Sequence, residues 1–347
     1  MKFLQTVFCI ALLLSASGAH ADGRMSRHER LGKVANWFYF LDFNDVSRMV
    51  KRISNSGYDM VVVEPVFTER ENTRFKVADM VRDLKGKAGR RLVLAYIDIG
   101  EAEEWRSYWK EGWRIGNPKW IVADDPDGWD GNFPVAYWHR GWRDIWLGET
   151  GYIEALKRAG FDGIYLDWVE AYSDENIIHA ARRDKVKPRR EMIRWVQDLA
   201  AQARRNRPDF LVIAQNAAEL ADDPGYARTI DAIAQEQIWF DGGADNKPAG
   251  DCPLPELERD IESLKYIRSL SRQCRRQHDR YPDSTLHVSS ESYIGLLQRA
   301  KKRGLHIFTV DYALKRRNIE KVYRKSRSLG FIPFVSGRAL ASFRPVR

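Results

Sequence analysis

The sequence predicts an α/β fold of the (β/α)8 barrel type, as in TIM. Short apolar runs alternate with helical stretches, a glycine ends several of those stretches, and about eight such units occupy about 300 residues. Parallel strands joined by crossover helices explain this alternation. An open, doubly wound sheet is the alternative, but no glycine-rich turn follows the first strand and the chain has no phosphate-binding GxxxxGKS or GxxxxGKT motif.

The predicted strands repeat one pattern along the chain. In five units a glycine precedes a run of β-branched and aliphatic residues, as Gly160 precedes the run at 164–166. Together with three further runs, the candidates are 34–40, 60–63, 92–97, 164–166, 210–214, 233–239, 306–310 and 331–335. A ninth, weaker candidate is 135–138, so either this run or 331–335 must lie outside a regular barrel.

We interpret residues 30–347 as a single barrel domain, because no linker interrupts the strand–helix units. A loop rich in glycine and proline, 241–255, follows the seventh predicted strand, and an apolar stripe from Leu257 to Leu270 at helical spacing comes after it. Residues 241–280 therefore read as an insertion. Cys252 and Cys274 flank the stripe and are predicted to form a disulfide, with two unpaired thiols as the alternative.

The first 21 residues have the pattern of a secretory signal peptide. Lys2 precedes an apolar run centred on residues 7–14, and a small-residue cleavage site, Ala19-His20-Ala21, follows. No other stretch reaches the roughly 18 apolar residues that a membrane span needs. We therefore expect an exported protein, periplasmic or extracellular, with no membrane span.

Composition excludes several classes of partner. The net charge of +9 comes from 57 Lys and Arg against 48 Asp and Glu, without a concentrated basic stripe, so no nucleic-acid partner is expected. The chain has no cluster of Cys and His, so we expect neither a metal nor another cofactor. A monomer is expected.

Acidic residues mark the carboxyl ends of the predicted strands, where the active face of such a barrel lies. These residues are Glu64, Asp98, Asp167, Glu236 and Asp311. Any one of them could form a structural ion pair, but five together favour chemistry, because burying a carboxylate without a partner is costly. Paired carboxylates without a GxSxG motif or a Cys/His nucleophile pattern point to glycosidic bond hydrolysis.

Aromatic and acidic residues cluster near the same face. Nine of the 12 Trp lie between Trp105 and Trp168. Indole rings stack on the apolar faces of sugars, so the cluster fits a carbohydrate cleft, although packing between barrel and helices is the alternative for about half of these residues. Acids at positions 124, 125, 127 and 130 predict a locally negative face despite the positive net charge.

Five stretches together resemble glycoside hydrolase family 114. They are YIDIGEAEEWRSYW (96–109), GFDGIYLDWVEAY (160–172), IAQNAAEL (213–220), IAQEQIWF (233–240) and FTVDYA (308–313). That family comprises the endo-α-1,4-polygalactosaminidases and is similar to the hydrolase domain of the Pel polysaccharide deacetylase/hydrolase. The resemblance implies that Asp167 and Glu236 are the catalytic pair. It also implies substrate-binding roles for Tyr96, Asp98, Glu101, Trp168, Tyr172, Asn216 and Asp311.

The expected function is that of a secreted, endo-acting glycoside hydrolase that cleaves an α-linked amino-sugar polysaccharide. A non-catalytic carbohydrate-binding protein, a glycosidase for another α-linked polymer, and a different chemistry on the same barrel are the alternatives. Within the pair, we expect Asp167 to be the nucleophile and Glu236 the acid/base, because the apolar neighbours Ile238 and Trp239 favour a protonated Glu236.

Overall fold

A computed structural model describes residues 25–41, 46–65, 76–86, 89–242, 250–282 and 284–341. Eight parallel strands form one sheet in chain order, as predicted for a barrel. They are Trp37–Phe40, Met60–Val63, Leu92–Asp98, Gly163–Asp167, Leu211–Gln215, Ala232–Glu236, His306–Tyr312 and Ile332–Ser336, numbered here as barrel strands 1 to 8. The indole Nε1 of Trp37 on strand 1 donates to the carbonyl of Ile332 on strand 8 at 2.9 Å, so the barrel is nearly closed. The predicted signal peptide lies outside the described residues.

The structure decides between the two doubtful strands. The run at 331–335 supplies barrel strand 8, whereas Val135 forms only an isolated antiparallel bridge with Ile121. Val135 is fully buried. The apolar run around it is therefore explained by burial within a long loop and not by pairing with a barrel strand. One of the two runs thus lies outside the eight-stranded barrel, as predicted from the sequence, and it is 135–138. The insertion follows the sixth barrel strand, not the seventh.

Helices lie between the strands of the barrel. Within the described residues they are α1 Arg27–Gly32, α2 Val46–Ser54, α3 Val77–Lys85, α4 Arg140–Trp146, α5 Tyr152–Ala159, α6 Glu175–Arg183, α7 Pro188–Arg204, α8 Pro224–Thr229, α9 Leu264–Ser269, α10 Arg272–Arg280, α11 Ser290–Lys302 and α12 Arg316–Ser328. In α5, Ile153 and Leu156 are buried, and Gly160 ends the helix at a φ of 92°, a left-handed conformation that glycine adopts without strain. None of the helices in the described ranges is both long and apolar enough to cross a membrane.

The insertion packs on the segment that follows strand 6. Phe240–Asp241 pairs antiparallel with Cys252–Pro253, and the predicted disulfide joins Cys252 to Cys274 in α10, with Cα atoms 5.4 Å apart. The single helix expected over the apolar stripe is wrong. A 3-10 turn and the short α9 replace it, because Ser263 and Ser271 cap new helix starts with their hydroxyls.

Candidate active site

The site lies at the carboxyl ends of strands 3 to 7. Asp167 is the last residue of strand 4 and Glu236 is the last residue of strand 6, with strand 5 between them. The two carboxyl groups are close enough to interact, because the negative charge of Glu236 adds to the effect of burial in raising the pKa of Asp167. The structure thus brings together the two residues that the sequence selected.

Each oxygen of Asp167 accepts a hydrogen bond. The hydroxyl of Tyr96 on strand 3 donates to Oδ2 at 2.6 Å, and the backbone N–H of Trp168 donates to Oδ1 at 2.8 Å. Burial, together with the charge of Glu236, nevertheless raises the pKa of Asp167 to about 7. Asp167 is therefore fixed in orientation and changes charge near neutral pH.

Glu236 is surrounded by donors rather than by the apolar side chains expected from its sequence neighbours. Its Oε2 accepts from Gln215 Nε2 at 2.7 Å and from Asn216 Nδ2 at 3.2 Å, and its Oε1 accepts from the hydroxyl of Tyr312. Burial raises the pKa of Glu236, and the bonds from Tyr312 and Asn216 oppose that effect. The hydroxyl of Tyr39 on strand 1 holds Gln215 in turn, at 3.2 Å from its Oε1.

Backbone strain is concentrated next to these side chains. Trp168, Asn216, Ala217 and Gln237 directly follow strands 4, 5 and 6, and all have positive φ between 48° and 56°. Such conformations cost about 1–3 kcal/mol each for residues other than glycine and cluster at functional sites. Gly100 allows the turn at Trp168, since an added Cβ would lie 2.6 Å from the Trp168 ring. The strain turns the chain sharply at the mouth of the barrel.

Other predicted residues lie at the same face but have different partners. Asp98 Oδ1 accepts from the N–H groups of Gly100 and Glu101, while Asp311 Oδ1 accepts from Trp239 and Phe240. Both aspartates thus anchor loops. Burial raises the pKa of Asp311 to about 7, and burial with the charge of Asp167 raises that of Asp98 well above its usual range.

Glu101 and Tyr172 contact neighbouring loops instead of the pair. Glu101 accepts from Asn132 Nδ2 at 2.9 Å, within a two-stranded ribbon of residues 101–103 and 132–134. The hydroxyl of Tyr172 donates to Glu219. Glu64 forms a buried ion pair with Arg106, so the structural alternative holds for this strand-end acid.

The tryptophan cluster divides into a core part and a surface part. Trp120, Trp142 and Trp146 are buried, whereas Trp105 and Trp129 are 38% and 40% exposed. Trp129 reaches across to the loop after strand 8, where the Arg338 guanidinium lies 5.6 Å from its ring centroid. Packing therefore explains the buried members, as the alternative interpretation stated.

Sequence reasoning missed Tyr39, Gln215, Tyr312 and Glu170. The first three are polar groups on barrel strands whose other residues are mostly apolar, and this contrast was the available signal. Glu170 lies within the quoted stretch 160–172 but gave no signal of its own. Within the described ranges, no group of three or more His, Cys, Asp or Glu side chains has the arrangement to hold a metal ion.

The chain is similar to known proteins over most of its length. The sequence matches glycoside-hydrolase family GH114 over residues 33–347. An uncharacterized protein of Deinococcus radiodurans is 32% identical over 315 residues, which cover 91% of this chain and 84% of the relative.

Two solved structures share the fold. The glycoside hydrolase domain of PelA from Pseudomonas aeruginosa aligns with 89% of this chain and 97% of its own, at 17% identity and a TM-score of 0.55. Ega3 of Aspergillus fumigatus, in complex with galactosamine, aligns with 89% of this chain and 93% of its own, at 13% identity and a TM-score of 0.52. From the family match and the relative, the chain belongs to glycoside hydrolase family GH114 and is a glycoside hydrolase.

Proposed function

We propose that the protein cleaves an α-linked amino-sugar polysaccharide of the α-1,4-polygalactosamine type within the chain, with Asp167 and Glu236 as the catalytic carboxyl groups. The observation that carries the proposal is the half-buried, interacting pair of carboxyl groups at the ends of strands 4 and 6. Glycoside hydrolysis needs one carboxyl group that donates a proton and one that attacks the sugar or activates water.

The electrostatics of the pair support this division of labour. Because burial, together with the charge of Glu236, raises the pKa of Asp167 to about 7, the pair holds one proton between them on the acid side of neutrality. A singly protonated pair supplies an acid and a base at the same time. The account therefore predicts that kcat/KM falls above about pH 7, where the pair loses its last proton, and falls again in acid, where both groups are protonated.

Asp167 is the proposed nucleophile and Glu236 the proposed acid/base, so the reactive form of the pair carries its one proton on Glu236 and leaves Asp167 ionised. Both oxygens of Asp167 are fixed by hydrogen bonds, and a nucleophile needs a fixed approach to the anomeric carbon. A retaining mechanism requires the two carboxyl groups about 5–5.5 Å apart, and an inverting mechanism about 6.5–9.5 Å, with Asp167 then acting as a base. The anomeric configuration of the first product decides between the two.

Negative groups near the pair support a substrate with free ammonium groups. The charge of Asp127 contributes to the raised pKa of Glu236, after the larger effect of burial and against the opposing charge of Arg338. The charge of Glu103 likewise adds to the effect of burial on the pKa of Asp167. Local acids govern the field within a Debye length of about 8 Å, so the positive net charge does not exclude such a substrate. The galactosamine bound to the structurally similar Ega3 belongs to the same chemical class.

A protein that only binds carbohydrate is the alternative. That role would not require two half-buried carboxyl groups close enough to interact electrostatically, whereas hydrolysis does. Export through the segment 1–21 completes the proposal, since an extracellular or periplasmic polysaccharide would then be accessible.

A panel of polysaccharides tests the proposal. Purified mature protein is incubated with partly deacetylated α-1,4-galactosaminoglycan, with its fully N-acetylated form and with an α-glucan, and products are sized by mass spectrometry. The proposal predicts internal cleavage of the deacetylated polymer into short oligosaccharides. Cleavage of the glucan alone contradicts the substrate assignment, and binding without any cleavage supports the alternative.

A further inference from the structure

Glu170 is a half-buried acid next to the catalytic pair, and the proposed mechanism does not use it. It lies on the 3-10 turn Val169–Ser173, directly after strand 4, and its Oε1 accepts from Asn216 Nδ2 at 2.7 Å. The same nitrogen donates to Glu236 Oε2 at 3.2 Å. The Asn216 amide therefore bridges Glu170 and Glu236.

The other end of the Asn216 amide is fixed as well. Its Oδ1 accepts from the backbone N–H of Glu236 at 2.9 Å and from Gln235 Nε2 at 3.0 Å. The nitrogen must therefore face the two carboxyl groups. Asn216 also has a positive φ of 55°, a left-handed conformation that asparagine adopts more readily than most other residues.

We propose that Glu170 is a positioning residue for the hydrolysis: as a neutral carboxylic acid, it holds the Asn216 amide so that this amide donates to Glu236. The inference rests on the proposed function of the pair and names a third acid for the same site. Its geometric basis is the shared amide nitrogen. Without the Glu170 acceptor, the Asn216 Nδ2 group would keep only its hydrogen bond to Glu236, and the amide could rotate away from Glu236.

The surroundings of Glu170 favour the neutral form. Its Oε2 is buried and accepts no hydrogen bond from any described residue. A carboxylate with a buried, unsatisfied oxygen is strongly disfavoured. Burial, and next the negative charge of Asp167, raise the pKa of Glu170 to about 8, with a further contribution from Glu236.

The titratable groups around Glu170 come from several elements. Besides Asp167 and Glu236 they are Tyr165 on strand 4, Tyr172 on the same 3-10 turn, Tyr226 on α8 and Tyr293 on α11, whose pKa values the charge of Glu170 raises. All of these tyrosines remain neutral around pH 8, so none of them ionises together with Glu170.

Ionisation of Glu170 changes the site in two ways. The anion competes with Glu236 for the Asn216 amide, and it adds a negative charge beside Asp167. Activity should therefore depend on two proton losses in alkali, one from the pair near pH 7 and one from Glu170 near pH 8. In wild type, log kcat/KM should therefore fall with a limiting slope of about −2 in alkali, where both protons are lost.

The test compares Glu170→Gln and Glu170→Leu on the polymer that the wild type cleaves, with the exposed Glu149→Gln as the matched control. Glutamine keeps the acceptor and cannot ionise, so its kcat at pH 6 should stay within about threefold of wild type and its slope should remain near −1. Leucine removes the acceptor and should lower kcat about tenfold, with KM changed less than twofold. A wild-type kcat in the leucine variant, or a slope of −2 in the glutamine variant, would overturn the inference.

Thermal unfolding gives a readout that needs no substrate. A pKa raised from 4.5 to about 8 means that Glu170 stabilises the fold fully below pH 4.5 and that this stability is lost as the pH rises to 8. The Tm of Glu170→Gln relative to wild type should therefore rise by roughly 5 °C between pH 5 and pH 8. A difference in Tm between the two proteins that does not change with pH would contradict the neutral state of Glu170. If this shift in Tm appears but the wild type cleaves no polymer, the proposed function is wrong, whereas the claim that Glu170 is neutral still holds.

Discussion

Replacing Tyr96 by phenylalanine should move the alkaline limb of the pH profile. The Tyr96 hydroxyl donates to Asp167 Oδ2 at 2.6 Å, and burial with the charge of Asp167 raises the pKa of Tyr96 well above its usual value, so it stays a donor. A hydrogen bond to a charged group contributes about 1.5–3 kcal/mol. At about 1.36 kcal/mol per pKa unit, its loss raises the pKa of Asp167 by about 1–2 units.

The assay measures kcat/KM for wild type, Tyr96→Phe and Tyr137→Phe between pH 5 and pH 10. Tyr137 is the matched control, because its buried hydroxyl donates to the carbonyl of Pro188 at 2.9 Å rather than to the pair. The limb that falls near pH 7 in wild type should move to about pH 8–9 in Tyr96→Phe and stay in place in the control. An unshifted limb in Tyr96→Phe would refute the electrostatic account of Asp167.

Two further changes test the support around the pair. Gly242→Ala places a Cβ about 2.7 Å from the Tyr312 ring, whose hydroxyl donates to Glu236. We expect kcat to fall on the order of 10- to 100-fold while circular dichroism shows an intact fold. An unchanged kcat would contradict this role for Gly242. Replacing Cys252 and Cys274 by serine should lower the free energy of unfolding, measured by denaturant titration, by up to about 3 kcal/mol and leave most of the activity. Loss of turnover in a folded variant would instead show that the disulfide shapes the site.

Much of the barrel could be predicted from the sequence, because each strand is a short apolar run and each crossover helix is amphipathic. The run at 135–138 is the exception, because Val135 is as apolar and as buried as a strand residue. A hydrophobic pattern indicates that a segment is buried but not which strand it pairs with. The helix expected between Leu257 and Leu270 failed for a local reason. Ser263 caps a new helix in the middle of the stripe, and Leu264 is 65% exposed.

The site was predictable to the extent that acids end the strands. Asp167 interacts with Glu236, whereas Glu64 forms an ion pair with Arg106. This difference depends on where each strand lies in the barrel, which sequence spacing alone does not reveal. The surroundings of Glu236 were harder still. Its sequence neighbours are apolar, but its donors Gln215 and Tyr312 come from strands 5 and 7, so only the fold reveals them.

The most direct test of the account measures turnover by Asp167→Asn and Glu236→Gln on the polymer that the wild type cleaves, with the exposed Glu149→Gln as control. Each amide keeps the shape of the acid and removes its charge or its proton. The account predicts that both variants fold as wild type does, that each loses at least about 100-fold in kcat, and that the control retains its activity. Near wild-type kcat in both variants would contradict the assignment of the catalytic pair.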